Sequence, residues 1–175
     1  TIIRQIAEGV RFLQRYGIVH RDIKPANILV KWDIPMIIDF GLVMTNKDKP
    51  DALAGSPSFV PGEIWKMKLT RDLLKTKLTA EEIYSAYFGA DVYAIGVTLF
   101  QIIQNSSPFH LSGNDWGYVP QTMEDIDDFL QRRFSAPISK LRIPAFQEVC
   151  EGLLAPVEKR WGLDKTIEAL SKLEG

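Results

Sequence analysis

The sequence HRDIKPANILV, residues 20–30, carries the side chains that decide the fold. Pro25 disfavours helical backbone angles at the residue before it, so the chain around Lys24 should be extended. Side chains two positions apart in an extended chain face the same way, which places Asp22 and Lys24 in one space. Asn27 follows a turn and returns an amide oxygen to that space. A carboxylate, an ammonium and an amide oxygen together suit a hydroxyl, a phosphate and a hard metal ion.

A second candidate site residue follows the short apolar run Met36-Ile37-Ile38, where the sequence continues as Asp39-Phe40-Gly41. The run is too short for a helix and predicts a strand that ends at the carboxylate. Gly41 permits backbone angles that other residues avoid. A carboxylate in this position can hold a cation beside a movable loop.

Residues 20–30 and the sequence IDFG at 38–41 resemble the catalytic loop and the metal-binding motif of eukaryotic-type protein kinases. By this resemblance, Asp22 orients the acceptor hydroxyl and takes its proton, and Lys24 neutralises charge on the moving phosphoryl group. The resemblance also gives Asn27 and Asp39 as ligands of two magnesium ions. It implies that ATP contacts four residues: Lys24, Asn27, Leu29 and Asp39. Lys24 at this spacing resembles the serine/threonine branch of the family.

Taken one at a time, these residues have ordinary structural explanations. His20 alone would be a packed histidine rather than a base, and the resemblance places it against Phe40. An isolated Asp or Asn in a loop would be a turn residue. The joint pattern over 20–41 is what favours a catalytic site.

Three later segments resemble further parts of the kinase family. Residues 55–63, GSPSFVPGE, resemble the segment on which the substrate peptide rests, although Pro-Gly-Glu replaces the usual Ala-Pro-Glu. Asp91 begins a stretch similar to the central helix, where it would steady the catalytic-loop backbone. Arg160 occupies the place of an arginine that pairs with Glu63, which predicts an ion pair between residues far apart in the sequence.

The resemblance covers residues 1–175 as one domain and predicts a mainly α fold. This fold is the large, carboxy-terminal lobe of the kinase family, with a small β-sheet carrying the catalytic loop. The chain begins at Thr1, already in a helical pattern, and has neither a Gly-x-Gly loop nor a Val-Ala-x-Lys strand. We therefore expect that the smaller lobe precedes this segment in a longer protein and packs on it. Without that lobe we expect poor ATP binding.

Hydrophobic periodicity and the positions of Gly and Pro residues predict the secondary structure. Short strands are predicted at 18–19, 28–30 and 36–38, and an extended loop at 42–62. An amphipathic helix is predicted from Ile3 to about Gly17, because apolar residues recur there at steps of three and four. Further helices are predicted from Thr79 to about Tyr87, from Val92 to Ile103, and at 123–133, 144–154 and 164–173.

The segment 64–78 holds five basic residues opposed by one acid, Asp72. The basic residues are Lys66, Lys68, Arg71, Lys75 and Lys77. A solvated surface explains this composition most simply. A docking patch for an acidic peptide or partner is the alternative, since the segment directly follows the substrate-binding one.

Arg21, next to Asp22, is the cation that meets a phosphate on the activation loop in many relatives. Thr45, Ser56 and Ser58 are the hydroxyl residues of that loop. Ser56 is expected to bond near Asp22. Asp51 or a phosphate on Thr45 is the candidate partner of Arg21.

Composition adds limits on partners and location. The net charge of −1 gives no overall attraction to nucleic acid. We find no run of eighteen apolar residues and expect no membrane-spanning segment. The single Cys150, expected to be buried, fits a reducing compartment and predicts an intracellular, cytoplasmic location.

Three functions fit these patterns. The first is a serine/threonine protein kinase that transfers the γ-phosphate of ATP to proteins. The second is a kinase-like scaffold without catalysis, against which the intact Asp22, Asn27 and Asp39 argue. The third is a small-molecule kinase, which would lack the 55–63 segment.

Overall fold

The computed structural model describes residues 1–49, 53–109 and 113–174. The described residues form six α-helices and four short strands. In chain order these are α1 (Ile2–Arg15), β1 (Ile18–Val19), β2 (Ile28–Lys31), β3 (Ile34–Ile37), β4 (Met44–Thr45), α2 (Gly62–Leu74), α3 (Ala80–Gln104), α4 (Met123–Phe134), α5 (Gln147–Leu154) and α6 (Leu163–Lys172). The prediction of a mainly α fold with little β-structure is confirmed.

Helix α3 lies at the centre of the fold. It begins with the predicted capping box, in which the Thr79 hydroxyl accepts from the Glu82 backbone N–H and the Glu82 carboxylate accepts from the Thr79 N–H. Every residue from Asp91 to Phe100 is buried. A Cβ on Gly96 would lie 2.7 Å from the Cβ of Leu153, so glycine allows α3 and α5 to approach closely. The two helices predicted in this region are one continuous helix.

Two groups of buried side chains surround α3. The larger joins α1, α5 and α6 to α3, and the apolar face of α1 contributes Ile3, Ile6 and Val10 as predicted. The smaller joins α2 and α4 to the first half of α3. Helix α5 packs on α3, α6 packs on α1, and α2 packs on α4. Cys150 is fully buried in the larger group, as expected for a small apolar side chain.

The strands form two antiparallel pairs rather than one sheet. Strand β1 pairs with β4, and β2 pairs with β3. Residues 20–27 connect β1 to β2, so each end of this loop is fixed by a different pair. In the β2–β3 hairpin, Leu29 lies opposite Met36 and therefore shares a face with it. Trp32 and Asp33 form the two-residue turn with φ of 54° and 59°, as hairpin turns of this length require.

Helix α2 corrects the prediction for the segment 64–78. The helix buries Ile64, Trp65 and Leu69, so this segment is part of the core as well as a basic surface. The helix was not predicted, because Pro61 and Gly62 favour a loop at the point where it begins. Its N-cap position is Pro61, which provides no side-chain cap.

By length and composition, α3 is the one helix among the described residues that could cross a membrane. In the structure, 72% of its most apolar window is buried inside the protein. Core helices of this kind pass the same test of hydropathy. The expectation of no spanning segment stays a prediction.

Candidate active site

Helix α3 holds the backbone of the loop at 20–27 in place. The carboxylate of Asp91 accepts hydrogen bonds from the backbone N–H groups of His20, at 2.6 Å, and Arg21, at 2.8 Å. Arg21 has a left-handed φ of 67°, which these bonds help to hold. Burial raises the pKa of Asp91 to about 7, although the two backbone bonds and the Arg21 charge oppose this rise. The predicted role of Asp91 in holding the loop backbone is confirmed.

Asp22 is the centre of a connected polar group. Its Oδ2 lies 2.8 Å from the Lys24 ammonium and accepts from the Asn27 amide at 2.9 Å. Its Oδ1 accepts from the Ser56 hydroxyl at 2.7 Å, and the Lys24 ammonium donates to the same hydroxyl at 2.7 Å. The predicted convergence of the three loop side chains, and the predicted bond from Ser56, are therefore present in the structure.

These contacts keep Asp22 ionised. Burial of the side chain favours the neutral form, but bonds from Lys24, Ser56 and Asn27 outweigh burial and lower the pKa below that of an ordinary aspartate. A carboxyl whose pKa is lowered by folding stabilises the fold above the pKa of its unfolded form. This contribution is lost as the pH falls through the lowered folded pKa, so at neutral pH the group is charged and held in place.

Asn27 and Asp39 have the chemistry expected of magnesium ligands. The Asn27 amide nitrogen donates to Asp22 at both the backbone oxygen and the carboxylate, which fixes the orientation of the amide and leaves its oxygen as an acceptor. Asp39 is exposed, has φ of 61°, and accepts one bond from the Gly41 N–H at 3.2 Å through Oδ1. No cluster of three or more His, Cys, Asp or Glu side chains occurs among the described residues.

His20 links the two motifs. It is fully buried, its ring contacts Phe40 edge-on with centroids 5.3 Å apart, and its Nε2 lies 3.2 Å from the Ile38 carbonyl. The Asp22 N–H donates to Nδ1, so the neutral ring carries its proton on Nε2 and donates it to Ile38. Burial also lowers the pKa of His20. The predicted structural role against Phe40 is confirmed.

The 55–63 segment is held against the loop and against α3. Gly55 has φ of 127°, and a Cβ there would lie 2.8 Å from the Arg21 carbonyl, so only glycine allows this approach. The Ala54 N–H donates to the Tyr87 hydroxyl at 2.8 Å, and that hydroxyl donates to the Ala54 carbonyl. Tyr87 was missed in the sequence, which gives no local signal for a contact over 33 residues.

The predicted ion pair between Glu63 and Arg160 is confirmed. The two guanidinium nitrogens of Arg160 contact the two carboxylate oxygens of Glu63 at 2.5 and 3.0 Å, although 97 residues separate them. Arg160 also donates to the Ala155 and Gly89 carbonyls, and its guanidinium lies 5.1 Å from the centre of the Tyr93 ring. The Arg160 side chain is 5% exposed and that of Glu63 is 24% exposed.

Arg21 has several contacts but no acidic partner within ion-pair distance among the described residues. Its Nε donates to the Leu42 carbonyl at 2.6 Å, and its guanidinium lies 5.4 Å from the Tyr87 ring centre. The Thr45 hydroxyl donates to Asp48 at 2.9 Å instead. Asp51, the other candidate partner, lies outside the described residues. A phosphate on Thr45 stays a prediction.

Comparisons with known proteins agree with this geometry. The protein kinase domain family matches residues 1–169. Rhodopsin kinase GRK1 of Rattus norvegicus is 33% identical over 95% of this chain and 27% of its own length. Serine/threonine-protein kinase 17A of Oryctolagus cuniculus is 33% identical over 62% of this chain and 25% of its own length. SNF1-activating kinase 1 of Saccharomyces cerevisiae is 27% identical over 98% of this chain and 15% of its own length.

The chain therefore spans about a quarter or less of the length of these relatives. The family match covers nearly the whole chain, from α1 to α6. It includes the Asp22 group, the Asp39 motif and the Glu63–Arg160 ion pair. On these grounds the chain belongs to the protein kinase family and has the fold of its larger, carboxy-terminal lobe.

Proposed function

We propose that this chain is the phosphate-transferring lobe of a serine/threonine protein kinase, which moves the γ-phosphate of ATP to protein hydroxyl groups. One observation carries the proposal. The Ser56 hydroxyl lies 2.7 Å from both Asp22 Oδ1 and Lys24 Nζ, so this pair holds an aliphatic hydroxyl. An acceptor serine or threonine has the same hydroxyl chemistry.

Asp22 orients the acceptor hydroxyl. Its lowered pKa makes it a weak base, so holding the hydroxyl in line with the phosphate is its first task. Proton transfer to Asp22 becomes favourable as the oxygen bonds to phosphorus and its proton becomes acidic. Lys24 stands 2.8 Å from Asp22 and places positive charge beside the site where phosphoryl charge is spread over oxygens.

The residues present fit magnesium. Asn27 offers an amide oxygen and Asp39 a carboxylate, which are the hard oxygen ligands that magnesium takes in proteins. Magnesium keeps several waters and phosphate oxygens, so two protein ligands suffice. When bound, the ions neutralise charge on the phosphates. This chain contributes the ligands and, through Asp22, the fixed orientation of the Asn27 amide.

The β2–β3 hairpin is the proposed contact with ATP and with the smaller lobe. Leu29 and Met36 share one face of the hairpin and are 51% and 41% exposed. Ile34, two residues before Met36, is 59% exposed on the same face, and Val30 is 47% exposed on the other face. Covering such a patch removes apolar area from water at about 25 cal/mol per Å². We place the nucleotide base against Leu29 and the smaller lobe over the remaining apolar residues.

A kinase-like scaffold is the second candidate, since the parts that grip ATP lie in the smaller lobe. The intact polar group around Asp22 argues against it. A small-molecule kinase is the third candidate. The fixed position of residues 55–63, against α3 and the catalytic loop, favours a protein substrate resting on that segment. An intracellular, cytoplasmic location, with no nucleic-acid partner, completes the proposal.

The test is phosphorylation of peptide arrays by the full-length protein with radiolabelled ATP. We expect label on serine and threonine peptides and little on matched tyrosine peptides, because Lys24 lies beside the acceptor site as in the branch that uses the shorter hydroxyls. No transfer to any peptide, together with ordinary ATP binding, would support the scaffold instead. Label mainly on tyrosine would show that the acceptor assignment is wrong.

Replacing Asp39 by Ala in the full-length protein should weaken Mg-ATP binding at least about tenfold, because a carboxylate that would hold the magnesium ion is lost. Isothermal titration calorimetry measures this directly. Asp128→Ala, at an exposed position of α4 outside the hairpin and the catalytic loop, is the matched control and should leave the affinity unchanged. Equal affinities for Asp39→Ala and the control would remove Asp39 from the metal site.

A further inference from the structure

An open cleft of about 520 Å³ lies at the end of helix α2, and none of the catalytic residues lines it. The cleft lies between the last turns of α2, the residues after it, and the segment around Tyr118. Its charged lining consists of Lys68, Arg71, Asp72, Lys75 and Lys77. Four positive charges thus face one negative charge, in a protein whose net charge is −1.

Asp72, the one acidic residue in the cleft lining, binds two of the basic side chains. Asp72 accepts from Lys68 at 2.8 Å and from Arg71 at 2.7 and 3.0 Å. Burial favours the neutral carboxyl, but these bonds outweigh burial and lower the pKa of Asp72, so it remains ionised. Lys68 and Arg71 are therefore held in place, at 15% and 21% exposure, and little side-chain entropy remains to be lost on binding.

The other two bases are presented to solvent. Lys75 has left-handed angles, φ 54° and ψ 31°, and ends α2. The chain turns there, with the Thr76 N–H donating to the Arg71 carbonyl at 3.2 Å, so Lys75 and Lys77 are exposed at the end of the helix. Together with the two held bases they form a surface that attracts negative charge.

Acidic residues near this cleft are engaged elsewhere. Asp115 lies 2.7 Å from the Arg133 guanidinium. Asp125 accepts from the backbone N–H groups of Gln121 and Thr122 at 2.7 and 2.8 Å as the cap of α4. Neither of these two described acids therefore offsets the excess of basic over acidic side chains in the cleft lining.

The opposite wall of the cleft is apolar. Val119 is 70% exposed, and Tyr118 is stacked on Phe129 with ring centres 4.8 Å apart. A Cβ on Gly117 would meet no atom within 4 Å, so this part of the cleft is open. A ligand with carboxylates on one side and an apolar side chain on the other matches both walls.

We propose that this cleft docks an acidic peptide segment of the protein substrate, with an apolar side chain against Val119. Helix α2 starts at Gly62, within the segment 55–63, and Lys75 follows 13 residues later. At 1.5 Å per residue this is about 20 Å, which an extended peptide covers with roughly six residues. A peptide resting on 55–63 can therefore reach the cleft. The inference rests on the proposed function for the identity of the partner.

The test compares two fluorescent peptides with the full-length protein. Both carry the same acceptor serine; one adds an extension of four glutamates around a leucine, and the other has glutamine in place of glutamate. Anisotropy should show at least roughly tenfold tighter binding of the acidic peptide at low salt, declining as salt is added. Lys75→Glu with Lys77→Glu should remove this preference. The same variant should phosphorylate a peptide without extension at the unchanged rate.

Lys140→Glu with Lys159→Glu is the matched control, since it changes the charge equally at exposed lysines outside the cleft. It should keep the preference. Equal binding of the two peptides, or equal loss in the control, would overturn the inference. Self-association that the Lys75 and Lys77 changes abolish, without peptide discrimination, would assign the cleft to a second copy and would overturn it too. Absent phosphorylation with the binding preference retained would instead contradict the proposed function alone.

Discussion

Asp22→Asn in the full-length protein is expected to lower phosphate transfer roughly 10²–10⁴-fold, the usual contribution of a positioned acid or base. Asparagine keeps the shape of aspartate, and its oxygen can still accept from Ser56. Its amide nitrogen, however, meets donors from Lys24 and Asn27, and the charge that orients the acceptor hydroxyl is lost. Single-turnover transfer with saturating ATP measures the effect on the chemical step.

The Mg-ATP affinity of this variant should stay nearly unchanged, because Asp22 is assigned to the acceptor and not to the nucleotide. Asp128→Asn is the control: it makes the same chemical change at an exposed position of α4, outside the catalytic loop and the hairpin. The control should retain full activity. Turnover like that of the unmodified protein in Asp22→Asn would refute the assignment of Asp22.

The geometry around Asp22 could be predicted because its signals are local. Pro25 fixes the extended backbone before it, and the spacing of Asp22, Lys24 and Asn27 then directs the three side chains to one space. The 2.8–2.9 Å contacts agree with that reasoning. The chemical roles of these residues come from the family resemblance, and the mutations above are what test them.

Contacts between residues far apart in the sequence could be predicted only where the family resemblance supplied them. The Glu63–Arg160 ion pair was predicted by family resemblance alone, since no local pattern connects residues this far apart. Strand β4 was missed because two residues, Met44 and Thr45, carry no periodicity, and only their pairing with β1 makes them a strand. The role of Tyr87 was missed because its contact with Ala54, 33 residues away, has no local signal in the sequence either.

The predicted helix boundaries were wrong where tertiary packing overrides the local preference of the sequence. The sequence between Tyr87 and Val92 contains Gly89, which weakens a helix signal, yet α3 continues through it because both sides of the helix are covered. Helix α2 begins at Pro61 and Gly62 without a side-chain cap, and burial of Ile64, Trp65 and Leu69 stabilises it instead. Burial of this kind depends on α4, which lies some sixty residues later in the chain.

Arg160→Leu is expected to destabilise the lobe by about 3–5 kcal/mol, the usual cost of removing one member of a buried ion pair. The variant strands the Glu63 carboxylate and leaves the carbonyls of Ala155 and Gly89 without their donor. For a domain of this size each kcal/mol lowers the melting temperature by about 2–4 °C. Differential scanning calorimetry should therefore show a decrease of about 6–20 °C. Arg142→Leu, at an exposed arginine, should change it little.

The ion pair also connects stability to activity. Glu63 ends the 55–63 segment and Arg160 follows α5, so the pair connects this segment to the chain that follows α5. Loosening it should reduce activity at temperatures where Arg160→Leu is still folded, and raise KM for the peptide more than it changes Mg-ATP affinity. No catalytic group contacts Arg160, so an unchanged peptide KM would limit the pair to stability alone.

A double-mutant cycle separates the stranded charge from the lost packing. Glu63→Gln in the Arg160→Leu background removes the uncompensated carboxylate and should recover part of the lost stability, whereas Glu63→Gln alone should be destabilising because it weakens the bond to Arg160. The recovery should be partial, since the contacts of Arg160 with Tyr93, Ala155 and Gly89 remain absent. Simple additivity of the two changes would mean that Glu63 and Arg160 act independently, and that the 2.5 and 3.0 Å contacts between them contribute no coupling energy.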